Sequence, residues 1–385
     1  MLEEAVPASA LGGPGTVAVD GCCFVGSRTG IANYVAALLE PLCEQHRDVR
    51  FLLYCNDAGD FPTAPNLEPR ISAPKRRGPI WHNTQVVDML RDDGVDVFWG
   101  TNGLIPLRGL ARTASVLTVH DLVHVFAPET QEAAKRWKQR FFQPRCVRAA
   151  DRVMAVSKAT AHDVARHYGR MPDAVIHPLA GDSFSLADRA AAEHTLQRLR
   201  LPRKFILTVG TLEPRKNVKA LMEAHASCLA DGLDLPPLVV VGGQGWRDAE
   251  VRASIDQATA SGWVRYLGYV PAADLSHLYS ACHALVMPSL YEGFGMPLLE
   301  AQMCGAAVVH GDHASMREAA GGLGVAFEPS ATGLRKMLAA LARNELPFAC
   351  RLASAIENNA AQSARRFWDM VEQAWRAKHR PASRG

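Results

Sequence analysis

The sequence predicts an α/β protein built from two doubly wound parallel sheets. Short β-branched or apolar runs recur along the chain with helical segments between them, the pattern of successive βαβ units. At 385 residues the chain is too long for one ordinary core and comfortable for two. Hydrophobic residues make up 48% and charged residues 21%, the composition of a globular protein rather than a disordered one.

Residues 1–15 are expected to be a flexible N-terminus and 16–182 a first domain. Its strands are predicted at Thr16–Asp20, Arg50–Cys55, Asp96–Trp99, Ser115–Val119, Arg152–Val156 and Ala174–His177. Its helices are predicted at Gly30–Glu44, Asn83–Asp92, Gln131–Ala149 and Lys158–Tyr168. A linker falls in the first part of Pro178–Arg203, and 183–359 forms the second domain. There the strands are Phe205–Val209, Leu238–Val241, Val264–Leu267, Ala284–Met287, Ala306–Val309 and Val325–Phe327, with a helix at Asn217–Ala230. A last helix at about 360–377 carries Phe367, Trp368, Val371 and Trp375 at helical spacing, so it is expected to dock back on the first domain rather than stand free.

A formal net charge of +3 argues against a dedicated nucleic-acid binder. Nine cysteines, none in a Cys-x-x-Cys pair, argue against structural zinc and a disulfide framework. No apolar run approaches the ~20 residues of a membrane span, and MLEEAVPASALGGPG lacks the basic start and apolar core of a signal peptide, so a cytoplasmic location is expected.

In open α/β sheets ligands bind beyond the carboxyl ends of strands, so strand exits are where chemistry is expected. Tyr291–Glu300 (YEGFGMPLLE) reads as loop into helix, with Glu292 and Glu300 eight positions apart across a turn bracketed by Gly293 and Gly295. Glycines let a ligand approach the backbone, and the free amides of the helix start suit an anion. One carboxylate can accept from a sugar's hydroxyls and the other from a ribose; a capped helix with a surface Glu is the alternative. At another exit, Gly210, Thr211, Leu212, Glu213, Pro214, Arg215, Lys216 and Asn217 place two cations at a helix start, where the helix dipole disfavours them. Binding a diphosphate supplies a reason, since guanidinium takes two oxygens and ammonium neutralises a leaving group; a solvated loop pair is the alternative.

Gly26, Ser27, Arg28, Thr29 and Gly30 outline a phosphate-facing loop without the spacing of a dinucleotide fingerprint, so Gly30 and Ile31 read as close-approach backbone or as a plain strand-to-helix turn. His120 and Asp121 follow a strand; the histidine can donate to a sugar hydroxyl or to developing charge, with Asp121 as its orienter, or it can satisfy backbone. Gly242, Gly243, Gln244 and Gly245, with Tyr266–Pro271, form further exits where a base can stack near Gly268 and Tyr269. Lys135–Arg148 interleaves Lys135, Arg136, Lys138, Arg140, Arg145 and Arg148 with Trp137, Phe141 and Phe142. It reads either as a surface for anionic lipid, extended by Lys75, Arg76 and Arg77 beside Trp81, or as a helix with core aromatics and solvated charges that Pro144 interrupts.

Gly210–Asn217 (GTLEPRKN), Tyr266–Pro271, Glu292–Glu300 and Val308–Glu318 together resemble the retaining GT-B glycosyltransferases of family four, also called group 1. Thr29–Tyr34, Thr118–Asp121 (TVHD), Ala155–Ser157 and the Trp-bearing last helix extend the resemblance over nearly the whole chain. TVHD followed by Pro128, with GTLEPRKN, is most similar to bacterial mannosyltransferases of lipopolysaccharide or exopolysaccharide assembly. The resemblance implies two Rossmann-like domains facing across a cleft, the first on the acceptor side and the second binding the nucleotide sugar. It assigns Arg215 and Lys216 to the donor diphosphate, Glu292 to the donor sugar and Glu300 to the ribose. Phe294, Gly295 and Met296 fall near sugar and phosphate, Gly30 near phosphate and His120 at the reacting sugar. The polar loop before Gly30 and ASMRE at Ala314–Glu318, which lacks the family's proline, depart from the pattern. The implied reaction is transfer of a sugar, foremost mannose from GDP-mannose, to a lipid-linked saccharide with retention and no divalent metal. A UDP-sugar enzyme and an inactive GT-B scaffold subunit are the competing expectations.

Overall fold

The computed structural model describes residues 12–26, 30–73, 77–243, 245, 249–348 and 359–379. Residues 1–11 of the expected flexible N-terminus, Ser27, Arg28, Thr29, Lys75, Arg76 and Gln244 therefore lie outside the described residues. The described parts of Met1–Leu122, Ala134–Leu179 and Asn359–Gly385 form one compact unit, and those of Val123–Ala133 and Ala180–Asn358 form a second. Val123–Ala133, inside the first domain drawn from the sequence, packs instead with the second unit. There Phe126 stacks on Tyr291 with ring centroids 4.9 Å apart, a contact between residues so distant in the chain that no local pattern marks it.

The first unit holds β1 (Thr16–Asp20), β2 (Arg50–Cys55), β3 (Leu67–Ile71), β4 (Val97–Gly100), β5 (Ala114–Val119), β6 (Arg152–Ala155) and β7 (Ala174–Val175). They pair in parallel in the order β3-β2-β1-β4-β5-β6-β7. The order reverses between β1 and β4, which opens a crevice at their carboxyl ends. Fully buried strands such as β4 and the inner part of β2 read as largely continuous apolar runs, as sheets covered on both faces do. β3 was not expected: its sequence LEPRI carries Glu68, Pro69 and Arg70 on a largely exposed edge strand, which blunts further pairing and erases the apolar signal. The helix expected at Asn83–Asp92 starts at Gly78 and passes through a wide turn at His82–Val86, whose His82 is buried against Asp20 at the end of β1 with Nε2 3.0 Å from Oδ2. The helix Ala360–His379 buries Phe367, Trp368, Met370 and Val371 in this unit. Trp368 stacks on His46 at 3.8 Å and Phe367 meets Trp99 at 4.4 Å.

The second unit holds β8 (Ile206–Val209), β9 (Leu238–Val241), β10 (Val264–Gly268), β11 (Ala284–Met287), β12 (Val308–Gly311) and β13 (Val325–Phe327), again all parallel, in the order β10-β9-β8-β11-β12-β13. Its core joins Ile206, Val240, Val286 and Val309 of the sheet to Leu221, Leu334 and Leu338 of the covering helices. The reversal falls between β8 and β11, so the loops after these two strands flank the second unit's crevice.

Candidate functional site

The loops after β8 and β11 carry Arg215, Lys216 and Glu292, and the structure brings the three into direct contact. Arg215 Nη1 donates to Glu292 Oε2 at 2.5 Å and Lys216 Nζ to Oε1 at 2.6 Å. Glu213 adds a second carboxylate at 3.2 Å from Arg215 Nε, and the Leu290 amide donates to the Arg215 carbonyl at 2.9 Å, tying the two loops together. Burial alone would raise the Glu292 carboxyl, but Arg215 and then Lys216 overcome it and hold the group at about 2. Lys216 moves down from its ordinary value because burial and the adjacent Arg215 outweigh the attraction of Glu292. These directions have one physical account: the buried Glu292 carboxylate lies between two cations and is compensated by both, while the more exposed Glu213 balances Arg215 from its other side. An anion that reaches Arg215 and Lys216 exchanges with these carboxylates for charge-assisted hydrogen bonds.

The cations do not stand where the sequence placed them. Pro214–Lys216 is a single 3-10 turn, and Asn217 follows in the left-handed conformation, φ 56°, before the helix Val218–Ala230 begins. The break puts Arg215 and Lys216 at the carboxyl end of their own turn rather than in the first turn of the helix. The dipole cost argued from sequence therefore does not arise in that form. Asn217 is held there by donating its side-chain amide to the Pro329 carbonyl at 3.1 Å.

Glycines set how closely the strand exits approach. A Cβ on Gly242, after β9, would sit 1.9 Å from the Gly210 carbonyl oxygen, after β8. Gly242→Ala should therefore force these exits apart and cost at least about 3 kcal/mol, read as a fall in the urea midpoint; an unchanged midpoint overturns this reading of the contact. The Lys216 stem passes over Gly210, and Thr211 continues the same loop, accepting from the Glu213 amide at 2.7 Å. Gly295 has φ 118° and precedes the helix Met296–Met303, with Phe294 buried beside it and Met296 in the first turn. Gly268 has φ 65° at an irregularity in the β9–β10 register, its carbonyl accepts from the Gly242 amide, and the following Tyr269 is 78% exposed.

Glu300, on the helix Met296–Met303, accepts from the Tyr279 hydroxyl at 2.9 Å. Desolvation lifts its carboxyl to about 7, against the pull of Tyr279 and Lys216. Lys216 thus acts electrostatically on both carboxylates of the E-x7-E pair. The Ser315 hydroxyl donates to the Glu292 carbonyl at 2.5 Å, and the His313 ring that caps the helix Ala314–Ala319 lies edge-on to Tyr291 at 4.8 Å.

In the first unit His120 follows β5, with Nε2 2.7 Å from the Thr101 carbonyl at the exit of β4. Thr101 Oγ1 in turn donates to the Asp20 carbonyl at the end of β1, so three strand exits around the first unit's crevice are joined. Burial lowers the ring's basicity, with the Thr101 carbonyl and the charge of Asp121 opposing. A carbonyl can only accept, so the neutral ring carries its proton on Nε2 and offers Nδ1 as an acceptor. Of the two expectations for His120, this contact is the one in which the ring satisfies backbone, with the charge of Asp121 acting on it as well. Tyr34, one turn into the helix that Gly30 opens, lies edge-on to His120 at 5.2 Å, and the space a Cβ on Gly30 would take is open.

Both halves of the chain match known glycosyltransferase families. Residues 193–362 match the family model described as glycosyl transferases group 1, and residues 28–179 match glycosyltransferase family 4. An O-antigen chain mannosyltransferase B of Escherichia coli is 30% identical over 323 residues, covering 78% of this chain and 84% of that protein. The chain belongs to the group 1 glycosyltransferases. This glycosyltransferase also shares the GT-B fold of two parallel-sheet α/β domains with solved structures. HepE of Anabaena, in complex with UDP and glucose, has a TM-score of 0.67 at 19% identity over 93% of this chain and 99% of that one. WaaG, a glycosyltransferase involved in lipopolysaccharide biosynthesis, has a TM-score of 0.66 at 17% identity over 95% and 100%.

Thr101, Tyr279 and Ser315 are the neighbours of the glycosyltransferase's candidate residues that sequence reasoning missed. Each sits in an ordinary strand exit or amphipathic helix, and only tertiary placement gives it a partner. The one available signal was the position of Thr101 directly after a strand that borders the reversal in strand order.

Proposed function

We propose that the enzyme transfers mannose from GDP-mannose to a lipid-linked saccharide in bacterial surface polysaccharide assembly, with retention at the anomeric carbon. The observation that carries this reading is the meeting of Arg215 and Lys216 on Glu292 beside the second unit's crevice. On binding, the donor diphosphate accepts from the two cations, in exchange for part of their contact with the carboxylates, and from the amides near Met296. Glu292 accepts from the sugar's hydroxyls, Glu300 from the ribose, and Gly268 and Tyr269 adjoin the base. His120 is assigned to a hydroxyl of the reacting sugar through Nδ1, and Gly30 to the phosphates. The bond from the anomeric carbon to the phosphate oxygen breaks and its electron pair leaves with the diphosphate. The acceptor oxygen bonds to the same face of that carbon, and its proton passes to the departing phosphate. Fixed cations supply the stabilisation of the leaving group, so the proposal includes no divalent metal. The mannose assignment is supported by the E. coli relative, named a mannosyltransferase.

A thermal-shift panel of GDP-mannose, UDP-glucose and ADP-glucose tests the donor. GDP-mannose at one hundred times its Kd should add about 2.7 kcal/mol of stability, several degrees in Tm, and the others little. A larger shift with UDP-glucose overturns the base assignment, and an inverted anomeric configuration in the first-formed product overturns retention.

A further inference from the structure

Two buried serines of the second unit stand near Glu292, and their hydroxyls are in opposite situations. Ser315, in the first turn of the helix Ala314–Ala319, donates from Oγ to the Glu292 carbonyl at 2.5 Å. Ser289, two residues past β11, is only 1% exposed, yet among the described residues its Oγ has no hydrogen-bond partner. The backbone gives it little room to move away. A Cβ on Gly311, the last residue of β12, would lie 2.5 Å from the Ser289 carbonyl oxygen, and the next residue, Leu290, is tied through its amide to the Arg215 carbonyl. The hydroxyl stands beside the Glu292 carboxyl: burial raises that group, Arg215 and then Lys216 bring it down, and Ser289 adds the last and smallest pull in the same direction. A buried hydroxyl that makes no hydrogen bond is unfavourable where it stands, and a partner gained in another state explains its presence.

We propose that Ser289 is a positioning residue for the donor complex: its hydroxyl takes up the Glu292 carboxylate as Arg215 and Lys216 turn to the donor's diphosphate, while Ser315 holds the Glu292 backbone. The inference rests on the assignment of the diphosphate to these two cations. In this structure each carboxylate oxygen is held by one of them, Oε2 by Arg215 and Oε1 by Lys216. A nucleoside diphosphate that draws the cations toward itself leaves a buried carboxylate short of donors, a state that burial penalises. A serine hydroxyl rotates about its Cβ–Oγ bond, so Ser289 can bring its proton to that carboxylate without a backbone movement. The exchange then leaves Glu292 satisfied and aimed at the sugar. Direct contact of Ser289 with the sugar is the competing use of this hydroxyl. Its burial beneath the loop disfavours that use, and the two uses predict different results.

The test titrates the full chain with GDP and GDP-mannose, and with UDP and UDP-glucose, and melts each protein without nucleotide. In whichever pair the parent binds, Ser289→Ala should weaken the nucleoside diphosphate and its sugar by the same factor, about tenfold or more, the size of a lost hydrogen bond to a charged group. Its Tm without nucleotide should be no lower than the parent's, because the hydroxyl removed has no hydrogen bond to lose. Ser315→Ala supplies the contrast: it breaks a bond already made, so its Tm should fall. A Tm of Ser289→Ala that falls as far as that of Ser315→Ala overturns the proposal. Weakening confined to the sugar-bearing nucleotides overturns it in favour of direct contact between Ser289 and the sugar. A parent that binds neither pair overturns the assignment of the diphosphate and this inference with it, whereas a parent that binds and a Ser289→Ala protein that binds equally well overturn the inference alone.

Discussion

Replacing Lys216 by methionine should lower turnover about 10²–10³-fold, the usual loss when one preorganised donor at a developing oxyanion is removed. The fold should survive. Glu292 keeps its contact with Arg215 at 2.5 Å, so the carboxylate remains paired and the stability cost is about 1–3 kcal/mol. Glu292→Gln separates the same group differently: it removes the carboxylate that Arg215 and Lys216 share and leaves only the more exposed Glu213 at Arg215, a loss nearer about 3 kcal/mol. Neither cation is freely hydrated, with side-chain exposures of 20% and 12%. The expected order is therefore crossed. Glu292→Gln should melt at lower urea than Lys216→Met, while the Lys216 variant shows the pure catalytic defect in single-turnover measurements made where both are folded. Turnover within a few-fold of the parent in Lys216→Met would remove the lysine from the reaction, and a Glu292→Gln protein as stable as the parent would contradict the role of Glu292 as the buried counter-charge of both cations.

How much of this was legible depends on where each signal resides. β1, β2, β9, β11 and β13 were readable to the residue, because apolar runs bounded by glycine, proline or polar residues carry their own boundaries. β12 lies two residues later than expected, at Val308–Gly311, since its limits come from pairing with β11 and β13 rather than from the apolarity of Ala306 and Ala307. Arg215, Lys216, Glu292 and Glu300 were readable because their spacing and glycine-rich settings are local. Their partners were not. Tyr279 occupies an ordinary apolar position of a helix, Ser315 gains meaning only from the Glu292 carbonyl, and Asn217 adopts positive φ through a contact with Pro329. The placement of Val123–Ala133 with the second unit is likewise a tertiary fact, carried by ring contacts such as that of Phe126 with Tyr291.

The Glu300–Tyr279 contact gives the sharpest pH dependence. A carboxyl lifted to about 7 by burial gains its charge across neutrality, so nucleotide binding through ribose hydroxyls should tighten as pH rises through about 7. Tyr279 favours the ionised form by donating to it, so Tyr279→Phe should move that midpoint upward, and Glu300→Gln should remove it. Stability runs the other way. Between the ordinary value of 4.5 and about 7 the folded protein holds a proton on Glu300 that the unfolded chain has released, so this contribution is present below 4.5 and is lost as pH rises through 7. The loss is at most about 3 kcal/mol, reduced because Glu300 keeps part of its surface in water. Glu292 has the opposite window: held at about 2, it stabilises the fold above 4.5 and that stability disappears as pH falls toward 2. Urea midpoints of the parent should therefore decline from about pH 5 to about pH 8, and Glu300→Gln should flatten the decline while leaving the acid limb intact. An equally steep decline in Glu300→Gln would place the titrating group elsewhere, and nucleotide binding that ignores pH in the parent would separate Glu300 from the ribose.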